Sequence, residues 1–380
     1  MQGYSEYELG DLLEYEQPTA YIVESTDYSD SYSVPVLTAG KSFILGYTNE
    51  MDGVFDKTPV IIFDDFTTAT QYVNFPFKVK SSAMKILHIN KDLVLPKYIY
   101  YRIQIIQFDH STHKRYWIQQ YSKIRVSIPP IPEQERIVAR IEEPFSQLDA
   151  GVETLKKTKA QLAVYRQAVL KEAFEGDYPR KQLKEFSKAI SGFAFKSSRY
   201  SPNGNYVVVK IGNVKERHFD FSRDLTKTLE ADDSILEKYL LRRGDCLITL
   251  TGSRGKRDYG FVAMVGNQNN YLLNQRVAAL RFDQSVALPE FFQYYLASPS
   301  YRDMFFGYET GNVGQGNVGI KALLDPYVIL PDIDTQKRII EDVEDRLSVC
   351  DSIEQTVDTA LQQAEAMRQS ILKDAFEGRL

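Results

Sequence analysis

The sequence holds few of the residues from which metal and redox sites are built. Its 380 residues include two cysteines, Cys246 and Cys350, and four histidines. The cysteines lie too far apart for a zinc or Cys-x-x-Cys motif, and their scarcity favours a cytoplasmic location. His110 and His113 are three residues apart, but no cysteine or carboxylate cluster accompanies them. We therefore expect no metal site.

Long apolar segments and an excess of positive charge are also missing. No apolar run approaches the roughly 20 residues that cross a bilayer. The first residues, MQGYSEYELGD, lack the basic and apolar regions of a secretory signal. The formal net charge is -5, which by itself argues against a nucleic-acid-binding protein. Net charge averages over the whole chain, however, and is compatible with a local basic surface.

Motifs of catalysis are absent as well. The strings nearest to the Asn/Asp-Pro-Pro-aromatic motif of amino-methyltransferases are SIPPI (127–131) and DPYV (325–328), and each lacks required residues. There is no GxxxxGK[ST] nucleotide-binding loop and no nucleophile signature. The segment GNVGQGNVG (311–319) fits a flexible binding loop better than a phosphate cradle. We therefore expect no catalytic residues and no cofactor in this chain.

The most informative feature that is present is an internal repeat. Residues 129–176 align with residues 331–378 at a constant offset of 202 without a gap, and eighteen of the 48 positions are identical. Pro132 and Asp334 stand where a helix would begin, as a first-turn proline and a capping aspartate. Gly176 and Gly378 stand where a helix would end in left-handed backbone. The repeat therefore predicts two equivalent helices.

Each predicted helix carries a heptad-like apolar stripe. The stripe residues are Ile141, Phe145, Leu148, Val152, Leu155, Leu162, Val169 and Ala173 in the first copy, and Val343, Leu347, Cys350, Val357, Leu361, Ala364, Ile371 and Ala375 in the second. The stripes are interrupted by Lys159, Arg166, Glu354 and Arg368. Their common phase favours packing of the helices on each other over separate packing on two domains. We expect Pro144 to kink or restart the first helix, which from there to Phe174 would be roughly 45 Å long.

The two remaining segments, about 1–128 and 179–328, both read as α/β. Predicted strands are Val60–Phe63, Ile86–Ile89, Tyr206–Ile211, Cys246–Leu250, Gly260–Val265 and Val277–Phe282. The segments share a plan, since PVIIFDDFTTAT (59–70) resembles GDCLITLTGSRG (244–255), and LVLPKYIYYRI (93–103) resembles VALPEFFQYYL (286–296). A domain followed by a helix, occurring twice in one chain, would give it the approximate two-fold symmetry with which a dimer reads two half-sites.

This order of domains and helices resembles the specificity subunit of type I restriction-modification enzymes. The likeness rests on the helix entry IPPIPEQERIVARI (128–141), the helix exit SILKDAFEGRL (370–380) and segments of both domains. The domain segments are LLEYEQPTAYIV (12–23), VPVLTAGKSFILGY (34–47), FDDFTTATQYVNFPFKVKSSAMKIL (63–87), AISGFAFKSSRY (189–200), GDCLITLTGSRG (244–255) and LLNQRVAALRF (272–282). The resemblance covers essentially the whole chain.

The resemblance implies an α/β (α+β) fold with two target recognition domains, at 1–128 and 179–328. Each would be followed by a conserved helical region, at 129–178 and 329–380. The two helices would pack as an antiparallel coiled coil with pseudo-two-fold symmetry and set the spacer of a bipartite, asymmetric DNA site. They would also dock two modification subunits, which bring S-adenosylmethionine and methylate adenine. Restriction subunits would add ATP- and Mg-dependent translocation and cleavage.

Candidate DNA contacts follow from the chemistry of recognition, because phosphates need Lys or Arg and base edges need Asn, Gln, Arg, Ser or Thr. In the first domain the candidates are Thr67, Thr68, Lys78, Lys80, Ser81, Ser82, His113, Lys114, Arg115 and Tyr116. In the second they are Lys196, Lys210, Thr251, Ser253, Arg254, Lys256, Arg257, Asn274, Gln275, Arg276, Asn312, Gln315 and Asn317. For any single residue, a role as ordinary solvated surface is the competing interpretation.

The starts of the repeat helices carry a separate set of polar residues, which either join helix to domain or face a partner subunit. These are Glu133, Gln134, Arg136, Gln336, Lys337 and Arg338. Two other functions compete with the specificity subunit as a whole. One is a recognition module of a single-chain restriction-methylation enzyme. The expectation that the chain starts at its own methionine and ends at the close of the second repeat argues against this alternative. The other is a coiled-coil scaffold that binds only protein, against which stand the duplicated basic and polar loops.

Overall fold

A computed structural model of the chain describes residues 3–38, 43–106, 116–228, 232–312 and 314–380. They form two compact units. The first unit comprises Met1–Leu155 and Thr359–Leu380, and the second comprises Lys156–Asp358. The division passes through both repeat helices, because each unit includes the helical segments that pack against its own domain.

The described residues of the first unit form nine strands, three short α-helices and the first part of a long helix. The strands are β1 (Ser5–Glu8), β2 (Leu13–Glu16), β3 (Val34–Leu37), β4 (Ile44–Thr48), β5 (Val60–Asp64), β6 (Thr70–Val73), β7 (Lys78–Val79), β8 (Met84–Ile89) and β9 (Arg125–Ile128). The helices are α1 (Leu9–Leu12), α2 (Pro96–Gln104), α3 (Tyr116–Gln119) and α4 (Ile131–Ala173). The part of α4 after Leu155 belongs to the second unit.

The second unit has eleven described strands and ends in the second long helix. The strands are β10 (Arg180–Gln182), β11 (Ser187–Ser191), β12 (Tyr206–Val209), β13 (Lys227–Thr228), β14 (Cys246–Thr249), β15 (Thr251–Gly252), β16 (Val262–Met264), β17 (Tyr271–Leu273), β18 (Val277–Phe282), β19 (Gly316–Asn317) and β20 (Tyr327–Ile329). The helices are α5 (Asp233–Tyr239), α6 (Pro289–Ala297), α7 (Pro299–Gly307), α8 (Ile320–Leu324) and α9 (Ile333–Phe376).

The two domains have the same sheet topology. The first contains a four-stranded sheet of order β2-β8-β5-β6 and a three-stranded sheet of order β4-β3-β7. The second contains β11-β18-β14-β16 and β13-β12-β17 in the same arrangement. In both, the four-stranded sheet is antiparallel, and one pair of the three-stranded sheet is parallel, β3 with β7 and β12 with β17. The shared plan predicted from the paired sequence strings is therefore confirmed.

The central strands are apolar throughout because both faces of their sheet are covered. In β5, Ile61 and Phe63 pack in the cluster beneath α2 and α4, whereas Val60 and Ile62 pack against the three-stranded sheet. Successive side chains of a strand point to opposite faces, so a strand with two buried faces has no polar alternation. This is why continuous apolar runs were sufficient to locate the strands.

Within each unit, parts of α4 and α9 pack antiparallel along the predicted stripe. In the second unit Leu162 and Val169 of α4, and Leu347 and Cys350 of α9, are buried. In the first unit Ile141, Phe145, Leu372 and Ala375 belong to one apolar cluster with the domain. The interpretation as helices that pack on each other is confirmed.

Both free cysteines are buried, and burial raises the pKa of the Cys246 thiol.

The polar residues that interrupt the stripe form ion pairs from one helix to the other. In the second unit Lys159 is 2.6 Å from Asp358, and Arg166 is 2.5 Å from Asp351 and 2.7 Å from Glu354. In the first unit Arg368 pairs with Asp149, and its guanidinium stacks over the ring of Phe145 at 4.2 Å. The repeat offset maps Arg166 onto Arg368 and Asp149 onto Asp351, so the same pair forms once in each unit.

The helix ends differ from expectation at two positions. Asp332 caps α9, since its Oδ1 accepts a hydrogen bond from the N–H of Thr335 at 2.8 Å, whereas Asp334 lies in the first turn. Gly378 has the expected left-handed backbone, with φ of 73°. Gly176 does not, and the ring of Tyr178 instead leaves no room there for a Cβ.

Of the two expectations for Pro144, a kink or a restart of the first helix, the restart is wrong. Helix α4 continues without a break from Ile131 to Ala173. A proline inside a helix removes one backbone donor and crowds the preceding turn, at a cost of about 3 kcal/mol. Burial of Ile141 and Phe145 on either side of Pro144 supplies apolar stabilisation of comparable size.

A buried glutamine joins each long helix to its domain. Oε1 of Gln134 accepts a hydrogen bond from the N–H of Leu95 at 2.7 Å, and Nε2 donates to the carbonyls of Leu93 and Pro129 at 3.1 and 2.8 Å. Gln336 repeats the arrangement in the second unit with the N–H of Leu288 and the carbonyls of Val286 and Pro331, each at 2.8 Å. Both side chains are fully buried. The partner-binding prediction is corrected for these two residues, because their polar atoms are used inside the domain.

We expect Gln134→Ala to lower the free energy of unfolding of the first unit by about 3 kcal/mol, because it leaves buried backbone groups without partners. The single tryptophan of the chain, Trp117, is buried in that unit. Urea denaturation followed by Trp117 fluorescence therefore reports this transition directly. Glu135→Ala, at an exposed neighbour, is the matched control. An unchanged midpoint in Gln134→Ala would show that the glutamine is not a structural joint.

Candidate nucleic-acid interface

In the second domain, the predicted DNA-contact loops converge on one residue. The N–H of Leu250 donates to the carbonyl of Arg276 at 2.9 Å, and the carbonyl of Leu250 accepts from the N–H of Val318 at 2.9 Å. The next residue, Thr251, pairs with Asn317 where β15 meets β19. Three loops that are distant in sequence therefore meet where β14 ends, and their described residues are 251–258, 274–276, and 310–312 with 314–317. We call them the second loop cluster.

Two further segments join this cluster. The N–H of Asn274 donates to the carbonyl of Val209 at 3.2 Å, which brings Lys210 to the same end of the domain. The side-chain amide of Asn274 donates to the carbonyl of Phe193 at 3.1 Å, three residues before Lys196. Asn274 itself is buried by these contacts. Its prediction as a DNA contact is corrected to a structural role that holds the loops together.

The cations of the second loop cluster differ in whether their charge is already neutralised. Three are bound by protein groups, namely Lys210 by Asp224 at 3.0 Å, Arg257 by Asp303 at 2.6 Å and Arg254 by the carbonyl of Gly311 at 2.8 Å. The side chains of three others are exposed and have no hydrogen bond or ion pair to any residue that the structure describes, namely those of Lys196, Lys256 and Arg276. The second set offers its charge to a phosphate or a base without first giving up a protein contact.

The other polar residues predicted here line the same loops. Thr251 and Ser253 are half-buried, and the N–H of Ser253 donates to Asp258 at 2.7 Å. Exposed side chains of the cluster that carry amides are Gln275, Asn312, Gln315 and Asn317. Amides of this kind can bond adenine edges in the major groove.

The first domain repeats the junction with different side chains. At the end of β5, the N–H of Asp65 donates to the carbonyl of Ala83 at 3.4 Å, and its carbonyl accepts from the N–H of Tyr116 at 3.1 Å. These bonds correspond to those of Leu250. The loops that follow β5 and β7 thus come together and present Thr67, Ser81 and Ser82 as exposed side chains. We call this the first loop cluster.

A buried carboxylate shapes the turn after β5. Oδ1 of Asp64 accepts hydrogen bonds from the N–H groups of Phe66 at 2.7 Å and Thr67 at 2.9 Å, and Thr68 has left-handed backbone with φ of 56°. The turn holds Phe66 half exposed at its tip. Phe66 is not among the candidates predicted from the sequence, although an aromatic that follows a capping aspartate and precedes two threonines is typical of an exposed turn.

Two predicted DNA contacts of the first domain lie in its interior. Lys78 is 4% exposed, lies 2.8 Å from Glu50 and donates to the carbonyl of Asp52 at 2.6 Å. Tyr116 is also buried. Both are corrected to structural roles, because a strand residue or helix residue that faces the core cannot reach DNA. Lys80 is half-buried, with its ammonium over the ring of Tyr28.

Three further candidates, His113, Lys114 and Arg115, lie outside the residues that the structure describes. Among the described residues, no group of three or more His, Cys, Asp or Glu side chains could hold a metal ion. No described helix is long and apolar enough to span a membrane.

The helix starts present the remaining polar candidates to solvent. Arg136 is exposed and lies 2.5 Å from Glu133. Lys337 and Arg338 are exposed on the first turn of α9, where Lys337 lies 3.4 Å from Asp334. Unlike the buried glutamines beside them, these side chains are accessible to a partner.

Comparison with known proteins places this architecture in one family. The chain matches the family described as type I restriction modification DNA specificity domain over residues 1–163 and 175–363. The specificity subunit of type I restriction enzyme EcoR124I/EcoR124II from Escherichia coli is 44% identical over 196 residues, which are 48% of each chain. The EcoKI specificity subunit from Escherichia coli strain K12 is 28% identical over 279 residues, which are 68% of this chain and 58% of that protein. The chain thus spans about half the length of the curated relatives it matches.

A solved structure has the same fold. It comes from a study of complex assembly and conformational transition of the type I R-M system, and aligns with a TM-score of 0.66 at 17% identity over 100% of this chain and 99% of that chain. The chain belongs to the family of type I restriction-modification DNA specificity domains. The fold class predicted from the sequence is confirmed.

The Lys78–Glu50 pair predicts how the first unit responds to acid. The hydrogen bond from Lys78, followed by that from the N–H of Ser25, lowers the pKa of Glu50 to about 2. A carboxylate whose pKa is lower in the folded state stabilises the fold fully above its ordinary pKa of 4.5 and loses this contribution as the pH falls toward 2. We therefore expect Glu50→Gln to lower the free energy of unfolding by about 1 kcal/mol at pH 7.

The difference between Glu50→Gln and the unchanged protein should shrink between pH 4.5 and 2. Denaturation followed by Trp117 fluorescence at several pH values measures it. Glu24→Gln is the control, since Glu24 is an exposed neighbour whose backbone, not its carboxylate, contacts Glu50. A difference that stays constant down to pH 2 would contradict the assigned pKa.

Proposed function

We propose that this chain is the DNA-recognition subunit of a type I restriction-modification complex, and that it does no chemistry itself. It reads a bipartite, asymmetric DNA site, with one half-site for each domain. The observation that carries the proposal is the duplicated junction at Asp65 and Leu250, which gathers loops into a cluster at the same place in both domains. The two clusters carry different side chains, as two unlike half-sites require.

The family supports this reading. The relatives from Escherichia coli are specificity subunits of type I restriction enzymes, and the matched family is a DNA specificity domain. S-adenosylmethionine, ATP and Mg would then bind to partner subunits, namely two modification subunits and the restriction subunits. A DNA target in a prokaryotic cell implies a cytoplasmic location.

The long helices are proposed to set the unread spacer and to dock the modification subunits. A helix of 43 residues, such as α4, is about 65 Å long, which exceeds the roughly 34 Å of one DNA turn. The proposed partner contacts at the helix starts are the exposed residues Arg136, Lys337 and Arg338 and the half-buried Glu133. Gln134 and Gln336 are excluded from these contacts because both are buried.

The decisive experiment co-expresses the chain with a cognate modification subunit in cells without other adenine methylation, and maps methylated adenines across the genome. We expect a split motif with two specific halves and a fixed gap. Replacing residues 1–128 by the corresponding domain of a relative should change one half of the motif and leave the other half and the gap unchanged. A soluble complex that marks no adenine, or a motif without a gap, would count against the proposal.

Salt dependence separates DNA recognition from a protein-binding scaffold. Each phosphate contact that is lost reduces the slope of log K against log [salt] by about 1. Lys196→Ala and Lys256→Ala should each do so, because both ammonium groups are exposed and unpaired within the described chain. Lys78→Met should leave the slope unchanged, since Lys78 is buried. Fluorescence anisotropy of the assembled complex on a labelled duplex measures the slopes, and DNA binding insensitive to salt would favour the scaffold.

A further inference from the structure

The tip of the connection between β17 and β18 presents two side chains from the middle of the second loop cluster. Gln275 and Arg276 are both exposed, and Asn274 before them and Val277 after them are buried. Neither exposed side chain has a hydrogen bond, an ion pair or a ring contact to any residue in the described part of the chain. The dipeptide therefore carries polar groups that the fold itself does not use.

The backbone of this tip is held on both sides. The N–H of Gln275 donates to the carbonyl of Phe193 at 3.0 Å, and the carbonyl of Arg276 accepts from the N–H of Leu250 at 2.9 Å. The backbone of the tip lies so close to that of Gly192 that a Cβ on Gly192 would overlap the carbonyl of Asn274. A fixed backbone positions a side chain for recognition without an ordering cost on binding.

Arg276 adopts left-handed backbone, with φ of 68°. An arginine is disfavoured in this conformation because its Cβ crowds the following carbonyl. Such residues persist where the surroundings impose them, and they concentrate at functional sites. At this position the tip is held by the bonds from the N–H of Gln275 to Phe193 and from the N–H of Leu250 to Arg276.

Arg276 also differs from the other cations around it. Arg254 and Arg257 are engaged by a carbonyl and a carboxylate of the protein. The two other unpaired cations, Lys196 and Lys256, carry compact ammonium groups, which suit phosphates. A guanidinium is a planar fork that bonds O6 and N7 of guanine together, the commonest specific contact in the major groove.

We propose that Arg276 reads a guanine in the half-site of the second domain, and is a residue that determines the sequence specificity of this chain. The inference rests on the proposed function. Gln275, one residue earlier on the same fixed tip, lies where its side chain reaches a neighbouring base or phosphate.

The equivalent tip in the first domain lacks such a group. The counterpart of Arg276 between β7 and β8 is Ala83, whose carbonyl accepts from the N–H of Asp65 at 3.4 Å. Ser81 and Ser82 before it are exposed, and the carbonyl of Ser82 accepts a hydrogen bond from Gln17 at 2.9 Å. A serine hydroxyl can contact any base and does not select guanine by a bidentate bond. Loss of Arg276 should therefore affect only one half of the split motif.

Two variants test the role of Arg276. Arg276→Lys keeps the positive charge but removes the planar fork. Arg276→Gly removes the side chain and suits the left-handed backbone, so it retains the fold of the tip. Each variant is assembled with modification subunits, and its affinity is measured for duplexes that carry the mapped site with one base pair exchanged at a time. The domain exchange at residues 1–128 identifies which half belongs to the second domain.

We expect the unchanged complex to bind its site about tenfold to a hundredfold more tightly than a site in which the guanine is replaced. In both variants this ratio should fall close to one, with the ratios at all positions of the other half unchanged. Lys256→Ala is the matched control, because loss of a phosphate contact should weaken binding to every duplex by a similar factor. The genome-wide methylation pattern of each variant should become degenerate at the same position.

Failure of this inference is distinguishable from failure of the proposed function. A half-site of the second domain without any G·C pair would overturn the role of Arg276, although a split motif would still support DNA recognition. Full discrimination at every G·C pair of that half-site in both variants would overturn it as well. If the unchanged complex itself marks no split motif, the proposed function fails and the inference fails with it.

Discussion

An arginine–aspartate pair between the two long helices sets the register on which the rest of each unit depends. Arg166 pairs with Asp351 in the second unit, and Arg368 pairs with Asp149 in the first. Both pairs arise from the same two positions of the repeat, which is the pairing expected when equivalent helices run antiparallel. Apolar stripes supply most of the attraction but tolerate sliding, whereas an ion pair beside a stripe favours one alignment. Its main effect is therefore on register and less on stability, since exposed pairs contribute little free energy.

The buried glutamines extend this register from the helices to the domains. Each glutamine uses its carbonyl oxygen and both amide hydrogens to bond three backbone groups. Two of these groups lie in the segment that leads into α2 or α6, and the third lies just before the glutamine's own helix. A buried amide with all its bonds made is specific in direction, because a rotated domain would leave several polar groups unsatisfied. The direction in which each loop cluster points relative to its own helix is thus determined by hydrogen bonds, which an apolar contact alone would not achieve.

The net negative charge is compatible with the proposed DNA recognition, because the charges of this chain are distributed unevenly. Acidic residues outnumber basic ones, at 51 to 46, but several carboxylates are paired with cations of the chain itself, as Glu50 is with Lys78 and Asp224 with Lys210. The cations that stay unpaired in the described chain around Leu250 belong to one loop cluster. Local free charge, and not the net charge of the chain, is the quantity that matters for contact with phosphates.

The sequence by itself determined the repeat, the α/β class, the strands with two buried faces and the pairing of the helices, because these follow from periodicity and from identities at a constant offset. It also indicated the loops of both clusters, but not which side chains in them are free. Lys78, Tyr116 and Asn274 have the same chemistry as surface candidates, yet the tertiary fold buries them. The neutralisation of Lys210 and the freedom of Arg276 likewise depend on residues distant in sequence. Burial and pairing are properties of contacts between distant segments, so only the tertiary structure decided them.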